Sequence, residues 1–192
     1  MAKAGYAEFT DPRTVSISRL LEAPPARVWE FLTKADKLAG WFADGDIEER
    51  VGAEVFLDQD TDRVPFRMKH AIRGEVLAVE HERLLQYTWL VEHQGKLLDS
   101  VATFALVPKD GGAKTQLAIS HGPVREGFYA LTASGWHSHL DTLEARLAGK
   151  TPTPIAERFA AVLPKYRELA KPFEERPAFN PLAGEQMAAK RS

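Results

Sequence analysis

Six histidines and no cysteines bound the chemistry open to this chain of 192 residues. Without cysteine there is no thiolate nucleophile and no disulfide, and a reducing compartment is allowed. Two histidines fall on alternate positions of strand-like segments. His70 shares a face with Phe66, Met68 and Ile72, and His121 shares one with Leu117 and Ile119. An imidazole pointing inward from such a face can orient a ligand or move a proton. His70 and His121 are therefore the candidate catalytic groups, and the simpler role for each is a hydrogen-bonded histidine at the rim of a core. His137 and His139 stand two residues apart in a helical segment. They point about 200° away from each other, so they cannot grip one metal together. His139 borders the apolar stripe of that helix and is expected to look inward, whereas His137 is expected at solvent.

Other catalytic patterns are missing. There is no HExxH, no array of paired carboxylates, no GxSxG, and no serine with an evident base. Gly111 and Gly112 lie in a hairpin loop and not between a strand and a helix, so they make no phosphate cradle. No metal and no cofactor are expected. The large aromatics are the other candidate site residues: Trp41, Tyr87, Trp89, Tyr129 and Trp136, joined by Phe66, Met68, Phe104, Leu140 and Leu143. Such residues usually pack a core. They line a pocket if an empty volume remains among them, with their polar tips fixing ligand orientation.

The elements that must position these side chains follow from periodicity. Over residues 127–149, Tyr129, Ala133, Trp136, Leu140, Leu143 and Leu147 recur by four and three, the spacing of one helical stripe. Gly149 is placed for a left-handed C-cap, and Pro152 forbids continuation. Asp141, Glu144 and Ala148 lie on one side of the stripe and Ser138 and Ala145 at its back, and this side is expected at solvent. Before this helix the pattern is mostly of period two. Strands are predicted over 15–22, 46–50, 53–58, 66–79, 84–91, 98–107 and 115–121, with a hairpin turned at Val51-Gly52 and a bend near Gly74. Two short helices, 25–33 and 35–41, interrupt them after the first strand, and Pro25 suits the first turn of one. The architecture is α+β: a curved antiparallel sheet of about six to seven strands wrapped around a long C-terminal helix, a helix grip. Residues 1–14 read as a loose arm, 15–149 as the domain and 150–192 as an extension.

Charge and hydropathy exclude further classes. The 25 Lys and Arg nearly cancel the 27 Asp and Glu, so no basic stripe suggests nucleic acid. No run is apolar enough for a membrane span and the N-terminus has no apolar signal core. A soluble cytoplasmic protein is expected.

An ordered set of residues resembles the START-like or SRPBCC superfamily, and within it the homologues of the activator of the ninety-kilodalton heat-shock protein ATPase. The set comprises Ala23-Pro24-Pro25, Val28-Trp29, Leu32-Thr33, Leu38, Trp41-Phe42, Val51-Gly52, Gly74-Glu75-Val76, Arg83-Leu84, Tyr87-Thr88-Trp89, Gly111-Gly112, Thr115, Leu117, His121-Gly122, Gly135-Trp136, Leu140-Asp141 and Leu143. Ala53 stands where the family often has a second glycine. The resemblance implies a cavity between the long helix and the concave sheet that takes a small hydrophobic or aromatic molecule. It also implies two alternatives, a cyclase-, aromatase- or hydrolase-like enzyme using the inward histidines, and a co-chaperone-like interaction protein. About fourteen residues precede the first strand, so the additional N-terminal domain of the chaperone activators is not expected.

The extension carries a stripe of its own. Ile155, Phe159, Val162, Tyr166 and Leu169 recur by four and three, which predicts a helix at about 155–170, kinked or split at Pro164. An apolar stripe needs cover, from its own domain or from a second subunit in a homodimer. Residues 171–192, with Pro172, Pro177 and Pro181, read as an extended tail.

Overall fold

The computed structural model describes residues 5–11, 13–59, 70–93 and 96–174. Strands β1 (Glu8–Asp11), β2 (Thr14–Leu21), β3 (Glu54–Gln59), β4 (His70–Glu80), β5 (Leu84–His93), β6 (Lys96–Lys109) and β7 (Lys114–Gly122) make the framework. They form one antiparallel sheet in the order β1-β2-β7-β6-β5-β4-β3. Helices α1 (Pro25–Thr33) and α2 (Ala35–Leu38) follow β2, and α3 (Tyr129–Leu147) and α4 (Ile155–Glu174) follow β7. The α+β helix grip is present. None of the helices among the described residues is long and apolar enough to cross a membrane.

Alternation on the strands sets the inner face. Val15, Ile17 and Leu21 on β2, Val55 and Leu57 on β3, Ile72 and Val76 on β4, Leu85 and Tyr87 on β5, Ala102, Phe104 and Leu106 on β6, and Leu117 and Ile119 on β7 are buried. Side chains two apart in a strand share a face, so this single layer meets the stripe of α3. Gly74 is a point of close approach in β4, whose register against β5 shifts between Val76 and Ala78. A Cβ there would run into the carbonyl oxygen of Thr88, while the Glu75 N–H leaves the ladder to donate to Thr88 Oγ1 at 2.8 Å. Only glycine allows that close approach.

Helix α1 begins at Pro25, where the lost N–H costs nothing. Its end is sealed by Thr33 Oγ1 donating to the Trp29 carbonyl. Helix α2 is shorter than expected. Residues 39–42 leave it in turns, with the Trp41 and Phe42 N–H groups both donating to the Leu38 carbonyl. These turns drive Trp41 and Phe42 into the core, at 1 % and 2 % exposure.

Four further expectations change. Residues 46–50 form no strand. Asp44 makes an isolated bridge to Asp58, and the Ile47 N–H donates to the Thr33 carbonyl. Ile47 is the segment's one apolar side chain, so no alternating face drives it into the sheet. The β3 partner is instead β4. The N-terminal arm contains β1, an edge strand paired with β2. Its neighbour Ala7 is buried and donates its N–H to Tyr166 Oη at 2.8 Å. Helix α4 is continuous through Pro164 and reaches past residue 170 through Pro172. An interior proline costs about 3 kcal/mol. That cost is opposed by burial of Phe159, Val162, Leu163, Tyr166 and Ala170, so the stripe finds cover within the chain, with α4 packed against α3.

The fourth concerns α3. Of the residues expected at solvent, Ser138 is instead buried at 0 % exposure, as is Ser134 one turn earlier, on the part of the helix that α4 packs against, while Ala148 is exposed as expected. Asp141 is only partly buried and Glu144 is exposed. The hydroxyls of Ser134, Ser138 and Thr142 donate back to the carbonyls of Ala130, Ser134 and Ser138. Satisfied inside their own helix, they can be covered by a second helix at no hydrogen-bonding cost. Gly149, at φ +67°, ends the segment in the left-handed conformation. Residues 60–69 and 175–192, including Phe66, Met68 and the proline-rich tail, lie outside the described residues.

Replacing Gly74 by Ala forces its Cβ against the Thr88 carbonyl. The expected cost is about 1–3 kcal/mol, as for other overpacked sites, read as a lowered urea midpoint. An unchanged midpoint would show that β4 and β5 can separate there freely.

Candidate functional site

The inner face of α3 meets the sheet through Trp136. Its ring stacks on Phe42, with centroids 5.4 Å apart and planes at 11°, and meets Trp89 at 5.4 Å and Phe104 at 5.6 Å edge to face. Tyr87 stacks on Phe104 and, more loosely, on Trp89. Three rings thus pack directly against Trp136. The cluster reaches the surface through Trp89, which stays partly exposed while Phe42, Tyr87, Phe104 and Trp136 are buried. Phe42 is the largest omission from the sequence reading. It sits beside Trp41, yet it is Phe42 that stacks on Trp136.

His121 lies at the centre of the cluster's polar contacts. Its Nδ1 accepts the Trp136 indole N–H at 3.0 Å. Its Nε2 lies 2.8 Å from Ser100 Oγ, and that hydroxyl also reaches the Trp89 carbonyl at 3.2 Å. One assignment satisfies every group. The Nε2–H donates to Ser100, and the Ser100 hydroxyl donates to the carbonyl. Burial pushes the His121 pKa down to about 4, which keeps the ring neutral and in the tautomer this chain requires. Both ring nitrogens are therefore committed to the protein. Ser100 occupies the same β6 face as Ala102 and Phe104, two residues earlier. Extending that alternation by one step finds it.

The remaining candidates separate. His139 is buried, and its Nδ1 lies 3.0 Å from the Trp41 carbonyl. Its ring meets those of Phe42, Trp41 and Trp136. Trp41 donates its indole N–H to the Phe31 carbonyl at 2.7 Å. Leu140 and Leu143 are fully buried in the core. Tyr129 meets Phe9 edge to face at the β1 end of α3. Burial pushes the Tyr87 phenol far up, so it stays neutral. His70 opens β4 opposite Gln59, and its side chain lies outside the described residues.

His137 is a correction, because it is buried at 3 % exposure and not solvated. Its Nδ1 lies 2.9 Å from Tyr166 Oη, and its Nε2 lies 2.8 Å from Arg158 Nη2 and 3.4 Å from Asp141 Oδ2. Arg158 also pairs with Asp141, and Arg19 reaches the other oxygen of that carboxylate at 3.3 Å. Burial alone would raise the Asp141 pKa. Hydrogen bonds from His137 and Arg158, with their charges, outweigh it and hold the carboxyl at about 2. This network ties α3, α4 and β2 together on the far side of the helix from Trp136. The sequence hides it because two of its members, Arg158 and Tyr166, lie in the extension. Among the described residues no three of His, Asp and Glu converge as a metal site.

The family model whose description is "Activator of Hsp90 ATPase homolog 1-like protein" matches residues 22–148. Solved structures agree on the fold. The protein MLL2253 of Mesorhizobium loti is 30% identical, with a TM-score of 0.61 over 73% of this chain and 100% of that one. The protein encoded by gene BPP1335 of Bordetella parapertussis is 26% identical, with a TM-score of 0.66 over 92% of each chain. CalU16 of Micromonospora echinospora is 22% identical, with a TM-score of 0.67 over 88% of this chain and 99% of that one. No curated protein matches the chain.

The neutral His121 has a pH signature. Unfolded, it takes a proton near 6.5; folded, only near 4. Between those values the unfolded state binds more protons, so stability is lost as pH falls from 6.5 to 4, by roughly 3 kcal/mol. His81, raised by its hydrogen bond to Glu49, acts in the opposite sense and is lost as pH rises. Asp141, held below its ordinary 3.8, loses its contribution only at lower pH. Urea midpoints of the wild type should therefore fall between pH 7 and pH 4 more steeply than those of His121→Gln. Parallel slopes would show that His121 is not buried neutral.

Proposed function

The chain belongs to the Activator of Hsp90 ATPase homolog 1-like family, and we propose that it binds a small hydrophobic or aromatic molecule between the sheet and α3 without turning it over. The observation that carries this reading is the partly exposed Trp89 at the end of an otherwise buried aromatic cluster. An aromatic ligand seated there extends the run of rings from Trp136 and Phe42 through Trp89, with offset or edge-to-face geometry. Rings of Phe42, Trp89 and Phe104 already pack against Trp136, which favours a ligand at the Trp89 end over one at the centre of the helix. The family is consistent with a ligand-binding domain of this kind.

Binding is favoured over catalysis by the state of His121. A general base needs a free nitrogen within reach of the proton it takes. Here one nitrogen accepts from Trp136 and the other faces Ser100. A pKa near 4 also makes the ring a weak base at neutral pH.

Naphthol titrated into the protein should quench tryptophan fluorescence saturably. Trp89→Ala should weaken its binding roughly three- to tenfold, the worth of one aromatic pair, and Trp89→Phe should retain most of it. No saturable quenching, or equal affinity in Trp89→Ala, contradicts the reading. Conversion of bound compound on prolonged incubation, followed by mass spectrometry, would favour the enzyme alternative.

A further inference from the structure

A concavity lies at the seam between the end of α2, the last turns of α3 and the connector into α4. It encloses about 230 Å³ and is walled chiefly by Gly40, Trp41, Arg146, Pro152, Pro154 and Ile155. This is below the range of roughly 300–1,000 Å³ typical of pockets for drug-sized ligands, so its occupant is correspondingly small. Pro152 and Pro154 supply the accessible apolar wall over the buried Trp41 and Ile155, and the prolines hold the connector's backbone stiff.

The polar groups of the pocket are nearly all committed. The Trp41 indole N–H donates to Phe31, the Trp41 carbonyl faces His139 Nδ1, and the Thr142 hydroxyl donates to Ser138. What remains is the Thr153 hydroxyl and one cation. Arg146 donates its Nε–H to the Gly40 carbonyl at 3.0 Å, which anchors the guanidinium at the pocket. Among the described residues no carboxylate pairs with it, and no Asp or Glu lines the pocket. With Nε held, the two terminal nitrogens are left as a fork, the geometry that receives a carboxylate through two parallel bonds.

We propose that this pocket binds a small carboxylate with a compact apolar body, with the acid on Arg146 and the body against Pro152 and Pro154. The site is independent of the one at Trp89, although Trp41 borders both pocket and cluster through its contacts with Phe42 and His139.

The test uses the full chain and two probes, benzoate and its neutral analogue benzyl alcohol, followed by amide and indole NMR. Benzoate should shift the signals of Gly40, Ile155 and the Trp41 indole saturably. Benzyl alcohol should bind at least roughly tenfold more weakly, since a charge-assisted pair is lost. Arg146→Gln should weaken benzoate by a similar factor, and Arg146→Lys, which keeps the charge without the fork, should fall between. The indole signals of Trp89 and Trp136 should not move. The proposal is overturned by unsaturable shifts, by Arg146→Gln binding as tightly as wild type, or by shifts centred on Trp89 and Trp136.

Discussion

The hydrogen bond from the Trp136 indole to His121 is the contact on which the arrangement of this protein rests. An apolar helix face on an apolar sheet can be repacked in several ways at similar cost. A buried N–H cannot, because leaving it unpaired costs about 1–3 kcal/mol. The bond fixes α3 against β7 at one height and one rotation. It works only while His121 stays neutral and passes its own N–H to Ser100 on β6. Burial in the aromatic cluster enforces that state. The rings and the polar chain thus depend on each other, and together they close the middle of the grip and leave Trp89 at its end.

The opposite side of α3 obeys a different logic. Ser134, Ser138 and Thr142 return their hydroxyls to carbonyls one turn back. A face that is polar by composition becomes a face that a helix can cover. Helix α4 covers it and brings Arg158 and Tyr166 to His137 and Asp141. The central helix is therefore held on both sides, by an aromatic cluster within the sheet and by a charged network under the extension. Neither side is left to water along most of its length.

Much of the framework was legible in the sequence because it is written in strict periods. Helix α1 was read to the residue, from its proline start to Thr33. The strands other than β1 and the false 46–50 segment followed from alternation, and α3 from steps of four and three. What was hidden depends on partners distant in the chain. The solvent expectation for His137 failed because it was judged from α3 alone, while its partners Arg158 and Tyr166 lie in α4. Strand β1 is four residues long, too short to show a period, and exists through its pairing with β2. At the candidate site, Trp89, Trp136, Phe104 and His121 were recognised by their faces. Phe42 was passed over because it leaves α2 through a turn, where helical and strand periods both fail to say which way a side chain points.

Solvent exchange of the Trp136 indole proton, followed by NMR, tests the central claim directly. If the Trp136–His121 contact closes the interior as described, this proton exchanges slowly, at a rate that tracks global unfolding in denaturant. Rapid exchange under native conditions, like that of a free indole, would mean that water reaches the space beneath Trp136 and that the interior is an open cavity.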